Sequence, residues 1–180
     1  MKTYLLLADG FETIEALTPV DVLRRAGVDI KTVSISASHN VTSSQKIEVK
    51  ADLIIDEKDL SEGDMLILPG GYPGYVNLGE SKIVGQLASQ YFESGKFLAA
   101  ICGAPTVLAK NGIAMGSKIT CHSSVVNEMG GYNYVGGNVV IDGKLITGIG
   151  AGHSVEFALT LAEILTDSAT VKKVKKGMEL

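Results

Sequence analysis

Residues 96–105, KFLAAICGAP, decide the fold. Five apolar residues, from Phe97 to Ile101, run into Cys102, and Gly103, Ala104 and Pro105 follow at once. A short apolar run of this kind predicts a strand buried on both faces, the form strands take inside a parallel sheet. Small residues and then a proline predict a turn entering a helix, because the missing proline N–H costs nothing in a first helical turn. A strand that ends on a cysteine at a sharp turn into a helix has the layout of a nucleophile elbow.

The same grammar extends outward. TYLLLA (3–8) and DMLILPGG (64–71) are further buried runs closed by glycine turns. DIKTVSIS (29–36) predicts a strand, and QKIEVKAD (45–52) alternates as a more exposed strand does. ETIEALTPVDVLRRAG (12–27) has helical spacing with Gly27 as its stop, and Pro19 inside it predicts a kink or a late start. SKIVGQLASQYFESG (81–95) and HSVEFALTLAEIL (153–165) predict amphipathic helices, with a short helix over APTVLAKNG (104–112). Alternating strands and helices imply a parallel sheet covered on both faces. Asp142 and Gly143, between two apolar runs in NVVIDGKLITG (138–148), predict an added β-hairpin. With no repeat, low-complexity segment or linker, the expectation is one α/β domain over residues 1–180.

Composition excludes several classes. The 180 residues are 46% hydrophobic with a net charge of −4, which predicts a globular core and argues against a nucleic-acid surface. The basic run VKKVKKGMEL (171–180) predicts a solvated helix face. Two cysteines make no disulfide framework, and three histidines show no metal-ligand spacing. No stretch is long and apolar enough for a membrane span, and the N-terminal run is too short for a signal peptide. The sequon at Asn40 matters only in a secreted chain. A soluble cytoplasmic protein is expected.

Ligands of open α/β sheets bind beyond the carboxyl ends of the strands. The residues placed there are Asp9, Gly10, Glu12 and Glu15, then Gly70 and Gly71, then Cys102 and Gly103, then Cys121 and His122. A thiol at a helix start is expected to have a lowered pKa; the alternative is a small core residue. Gly71 and Gly103 offer backbone N–H groups for an oxyanion, or form plain turns. Either Glu12 or Glu15 can enter the pocket as a carboxyl of raised pKa, and both can instead be solvated. His122 is a candidate base or proton shuttle, or a surface residue. His39, in the polar loop SASHNVTSS (36–44), receives no role. LITGIGAGHSVEFAL (145–159) imitates a dinucleotide turn, but its glycines at 148, 150 and 152 are spaced G-x-G-x-G, with His153 where the last required glycine would stand. A tight turn near the rim is the better reading.

ADGFETIEALTPVDVLRRAG (8–27), LILPGG (66–71), AAICGAPTVLA (99–109) and TCHSSVVNEM (120–129), in that order, resemble the ThiJ/PfpI superfamily. The subgroup they look most like is that of the Parkinson-disease-associated deglycase and its bacterial relatives, and the likeness runs nearly end to end. It implies a flavodoxin-like, class I glutamine amidotransferase-like sandwich, usually a homodimer. It also implies a reactive cysteine at Cys102, a partner acid at Glu15, a histidine at His122 and oxyanion donors at Gly71 and Gly103. Cofactor-independent glyoxalase or deglycase action on small carbonyls, redox sensing or chaperoning, and intracellular proteolysis are the activities implied. Protease-type members carry a histidine directly after the cysteine, where this chain has Gly103, which lowers that last reading. Close relatives often have alanine at Gly103. Gln45 falls near where the deglycase subgroup has a basic residue, and Cys121 is a candidate resolving thiol.

Overall fold

The structure is a computed structural model, and it describes residues 1–55 and 59–180. Its centre is a seven-stranded sheet. In chain order the strands are β1 (Lys2–Leu7), β2 (Asp29–Ser34), β5 (Leu53–Ile54), β6 (Met65–Leu68), β7 (Phe97–Ile101), β10 (Val139–Asp142) and β11 (Leu145–Gly148). Their order across the sheet is β10-β11-β7-β6-β1-β2-β5. All neighbours run parallel except β10, which pairs antiparallel with β11. This is the expected flavodoxin-like α/β architecture with its added hairpin. The hairpin turn lies at Gly143 and Lys144, one residue later than predicted, with Gly143 at φ 60°.

The apolar runs are strands because their alternate residues feed two separate cores. Tyr4 and Leu6, Leu66 and Leu68, Leu98 and Ala100 face one side. Leu5 and Leu7, Met65 and Ile67, Ala99 and Ile101 face the other. A period of two thus makes a continuous hydrophobic run a requirement of a two-sided sheet. Each fully buried leucine or isoleucine contributes about 1.5–3 kcal/mol by leaving water.

Helices close both layers. Helix α1 (Thr13–Arg25), α5 (Ser154–Leu165) and α6 (Ser168–Gly177) bury Val22, Phe157 and Val174 on the second core. Helix α2 (Gly74–Glu80), α3 (Lys82–Glu93) and α4 (Pro105–Lys110) bury Leu78, Val84 and Leu108 on the first. Helix α1 starts at Thr13 and includes Pro19. The Glu12 carboxylate caps it by accepting the Glu15 N–H at 2.8 Å, and the buried face carries it through the proline. In α6 the valines turn inward and the lysines outward, as the basic run predicted.

Two expected strands lie outside the main sheet. The segment 45–52 contributes β4 (Glu48–Lys50), which pairs with β3 (Asn40–Thr42) in a small hairpin. The strand implied before Cys121 and His122, SKIT (117–120), is only β8 (Lys118–Ile119), paired with β9 (Asn133–Tyr134). Helix α2 carries no strong periodic signal in its sequence, GYVNLGE.

The strand order reverses direction between β1 and β6, since β2 lies on one side of β1 and β7 lies beyond β6 on the other. Such a switch point opens a crevice at the carboxyl ends of the strands. No helix among the described residues is long and apolar enough to cross a membrane.

Candidate active site

Cys102 follows β7 with φ 64°. Left-handed backbone at a residue with a Cβ costs of order 1–3 kcal/mol. Strict alternation would point residue 102 to the same side as Ala100. The positive φ breaks it, and Cys102 instead packs against the core of Ile101, beneath α1 and α5. Hydrogen bonds on both sides hold this conformation. The Cys102 N–H donates to the Gly148 carbonyl, and the His122 N–H donates to the Cys102 carbonyl, each at 2.9 Å. Pro105 opens α4 at its first position, as its place in the elbow required.

Glu15 settles the choice between the two glutamates. It is fully buried, and its Oε2 accepts the Gly70 N–H at 2.9 Å. Its Oε1 is buried with no hydrogen-bond partner, and the Cys102 thiol and the Ala151 N–H lie close enough to act on the carboxyl. Glu12 also lines the cavity, but its carboxylate is engaged as the cap of α1. Burial, with the Glu12 charge behind it, pushes the Glu15 carboxyl up to about 7 against the pull of its hydrogen-bond partners.

The thiol departs from expectation. Burial pushes Cys102 up to about 12, and the adjacent Glu15 adds to the rise. The N–H groups of Gly103 and Gly71 pull the other way without winning. The expected lowering by a helix start fails because α4 is a helix of six residues and desolvation outweighs it. A carboxyl and a thiol in contact titrate as a pair: below about pH 7 they hold two protons, and above it one, on the sulfur.

Glycines make the close approach possible. A Cβ on Gly70 would stand 2.6 Å from Glu15 Oε2 and 2.7 Å from Cys102 Cβ. Gly71, at φ 91°, has no room beside Phe11 and Glu12. The G-x-G-x-G run likewise serves packing: Gly148 lies against Ile101 and Phe157, and Gly150 faces Glu15, Cys102 and His122.

The His122 backbone is fixed by its bond to Cys102, and the segment before it by the Thr120 N–H donating to Thr147 Oγ1 at 2.9 Å. Glu12, Glu15, Cys102, His122, Ile149, Gly150 and His153 line one cavity of about 520 Å³. Cys121 is not on it. It is completely buried, in the core on the far face of the sheet, so a resolving role is not supported. Gln45 also stays away, accepting the Thr13 hydroxyl at 2.9 Å. His39 pairs with the Ala51 carbonyl.

The DJ-1/PfpI family pattern matches residues 1–164. The chain belongs to the DJ-1/PfpI family. It is 38% identical to protein dj-1beta of Drosophila melanogaster over 175 residues, covering 96% of this chain and 94% of that protein. The crystal structure of Drosophila DJ-1beta matches with a TM-score of 0.96 at 37% identity, over 100% of this chain and 99% of the other. The glutathione-independent glyoxalase DJR-1.2 of Caenorhabditis elegans is 36% identical over 163 residues, 89% of this chain and 86% of that one. Oxidized DJ-1 of Toxoplasma gondii gives a TM-score of 0.94 at 30% identity, over 98% and 97% of the two chains.

Within this DJ-1/PfpI chain, two features escaped the sequence reading. Tyr75 of α2 packs over Gly103, so that a Cβ there would lie 2.5 Å from its ring. The elbow is therefore filled from outside where an alanine methyl would otherwise sit. His153 reaches the cavity, although its only sequence signal was a place in a glycine-rich turn.

Proposed function

We propose that this chain is a cysteine-dependent, cofactor-independent enzyme that converts small 2-oxoaldehydes such as methylglyoxal to 2-hydroxy acids. The observation that carries this reading is the unpartnered Glu15 Oε1, buried next to the Cys102 thiol. A carboxyl in that position can move one proton repeatedly without leaving the site.

The steps balance as follows. Cys102 Sγ attacks the aldehyde carbon, and the proton shared with Glu15 passes to the carbonyl oxygen, giving a hemithioacetal. The N–H groups of Gly71 and Gly103 hold the oxygen as its charge develops. Glu15, now a carboxylate, takes the proton from that carbon and returns it to the neighbouring one, while the hydroxyl proton passes from the first oxygen to the former ketone oxygen with His122 assisting. The aldehyde carbon is oxidised and the ketone carbon reduced, so no outside electron carrier is required. Water then cleaves the thioester, releasing the 2-hydroxy acid and the thiol. The name of the nematode relative supports the substrate class.

The testing experiment follows methylglyoxal loss and lactate formation by the purified protein beside Cys102→Ala and Glu15→Gln. Sustained turnover abolished by both substitutions is expected; turnover that survives Cys102→Ala overturns the mechanism. The same chain is expected to form a homodimer, measured by light scattering.

A second reading is redox sensing, favoured by the half-buried thiol and by the oxidized form of the Toxoplasma relative. Mild peroxide would then add two oxygen atoms to Cys102 stoichiometrically, as a sulfinic acid, in a chain that shows no aldehyde turnover.

A further inference from the structure

Two histidines line the cavity, and their surroundings fix opposite proton positions. His122 Nδ1 lies 3.2 Å from the Ser124 backbone N–H and 2.8 Å from the Ser124 hydroxyl. A backbone N–H can only donate, so Nδ1 must present its lone pair. The neutral ring then carries its proton on Nε2. His122 therefore meets the cavity as a hydrogen-bond donor, not as the base that the sequence left open.

His153 is arranged the other way. Its Nδ1 lies 3.5 Å from Glu156 Oε2, and a carboxylate can only accept. The contact is an ion-pair distance rather than a hydrogen bond, and it favours the proton on Nδ1 with the Nε2 lone pair free. Glu156 is itself held, accepting the Asn138 side-chain N–H at 3.0 Å on the same oxygen. The His153 backbone is held by donation to the Gly150 carbonyl at 2.9 Å. Glu156 and His153 both line a neighbouring cavity, and of the two only His153 also lines the one that holds Cys102. The side chain is 42% exposed, and water reaches it. A carboxylate behind an imidazole is the arrangement that orients a general base and stabilises the imidazolium that forms.

We propose that His153, oriented by Glu156, is the general base for the water that hydrolyses the Cys102 thioester, while His122 serves the same cavity as proton donor. This rests on the glyoxalase reading and adds the group that completes its last step. His153 Nε2 takes one proton of the water as its oxygen attacks the thioester carbonyl. Gly71 and Gly103 hold the tetrahedral oxyanion. Collapse breaks the C–S bond, the sulfur leaves as thiolate, and the imidazolium returns its proton to the Cys102–Glu15 pair. The acid product ionises in water. Without His153 the first half of the cycle is intact and the enzyme stalls as the acyl form.

The test is rapid-quench intact-mass analysis during methylglyoxal turnover by the full chain, comparing wild type with His153→Gln, His153→Ala and His122→Gln. Turnover by His153→Gln is expected to fall about a hundredfold, a usual loss for a missing general base. Cys102 in that variant should accumulate a covalent lactoyl group, and added imidazole should restore part of the rate to His153→Ala. His122→Gln should slow formation of the adduct without trapping it. Wild-type turnover retained by His153→Gln within about twofold, well short of the loss expected of a general base, overturns this proposal alone. So does a slow variant with no trapped thioester and no imidazole response, because that is the signature of a structural ion pair. Absence of wild-type turnover overturns the glyoxalase reading as well, so the two failures are distinct.

Discussion

Cys102 and Cys121 each lie just beyond a short strand, and both thiols are held above their ordinary pKa, at about 12 and about 11. The causes differ. Cys121 is raised by burial and nothing else, inside the core on one face of the sheet. Cys102 is raised by burial and then by a carboxyl, while two backbone N–H groups pull it down, on a cavity wall at the other face. A buried thiol is thus made inert by apolar surroundings alone. It is made reactive when the surroundings contain groups that can accept its proton and bind the charge that results. One backbone angle, φ 64° at Cys102, puts the two residues on opposite sides of the sheet.

The comparison breaks if the cysteines prove interchangeable. Cys102→Ser should reduce aldehyde turnover by at least about a thousandfold, because a serine hydroxyl is a far poorer nucleophile without a strong base. Steady-state kinetics with lactate detection measures this.

The next largest effect belongs to the carboxyl that distinguishes the two sites. Glu15→Gln should cut turnover by about a hundredfold or more, as loss of a proton-transfer group does. It should also change how stability depends on pH. The Glu15 pKa is raised from 4.5 to about 7 on folding. Between those values the folded chain keeps a proton that the unfolded chain has released. The stabilisation is full below pH 4.5, falls as pH rises through the window and is gone above pH 7. It amounts to about 3 kcal/mol, taking about 1.4 kcal/mol for each tenfold change in proton affinity. Urea unfolding of both proteins at pH 5 and pH 8 should show wild type losing more stability than Glu15→Gln, by about that amount. Equal losses would mean that the carboxyl is not perturbed as its burial requires.

Much of this contrast was legible in the sequence, and the part that was not has physical causes. The strands flanking the site were plain because both faces of β1, β6 and β7 are buried, which leaves unbroken apolar runs. That a carboxylate, a glycine turn, Cys102 and His122 meet at one rim follows from their positions after strands, whereas Glu15 over Glu12, and Gly71, rest on the family resemblance. The pKa of Cys102 was misjudged because helix starts are visible in sequence and desolvation is not. Cys121 was placed on the rim because adjacency to His122 says nothing about which face a side chain takes. His153 was passed over because its use depends on Glu156, three residues later on the next helical turn, and on a glycine turn whose direction the sequence leaves open.

A smaller effect probes how tightly the reactive site is assembled. Gly70→Ala would drive a methyl between Glu15 and Cys102, with backbone on one side and no space to yield. Gly103→Ala would press only on the Tyr75 ring. The first should destabilise by about 1–3 kcal/mol, the usual cost of overpacking, and impair turnover. The second should cost less, and Tyr75→Ala should relieve it. A double-mutant cycle in urea would give a coupling of about 0.5–1 kcal/mol or more if the two side chains compete for one space.

The smallest effect on turnover belongs to Cys121, and it is the sharpest test of the contrast. Cys121→Ser should leave aldehyde turnover within about twofold of wild type, since its side chain is buried in the opposite core from Cys102 and reaches none of the groups that move protons. The same change puts a hydroxyl in a completely apolar core, at a cost of about 1–3 kcal/mol in unfolding free energy if it finds no partner. Cys121→Val, which keeps the site apolar, should remove most of the polar penalty and leave a smaller packing strain. Equal stabilities for the serine and valine variants would show that polarity is not what position 121 resists. A large loss of turnover in either, with folding intact, would mean that the thiol beneath the sheet is coupled to the one above it. The separation of the two faces would then fail as the account of how the two cysteines differ.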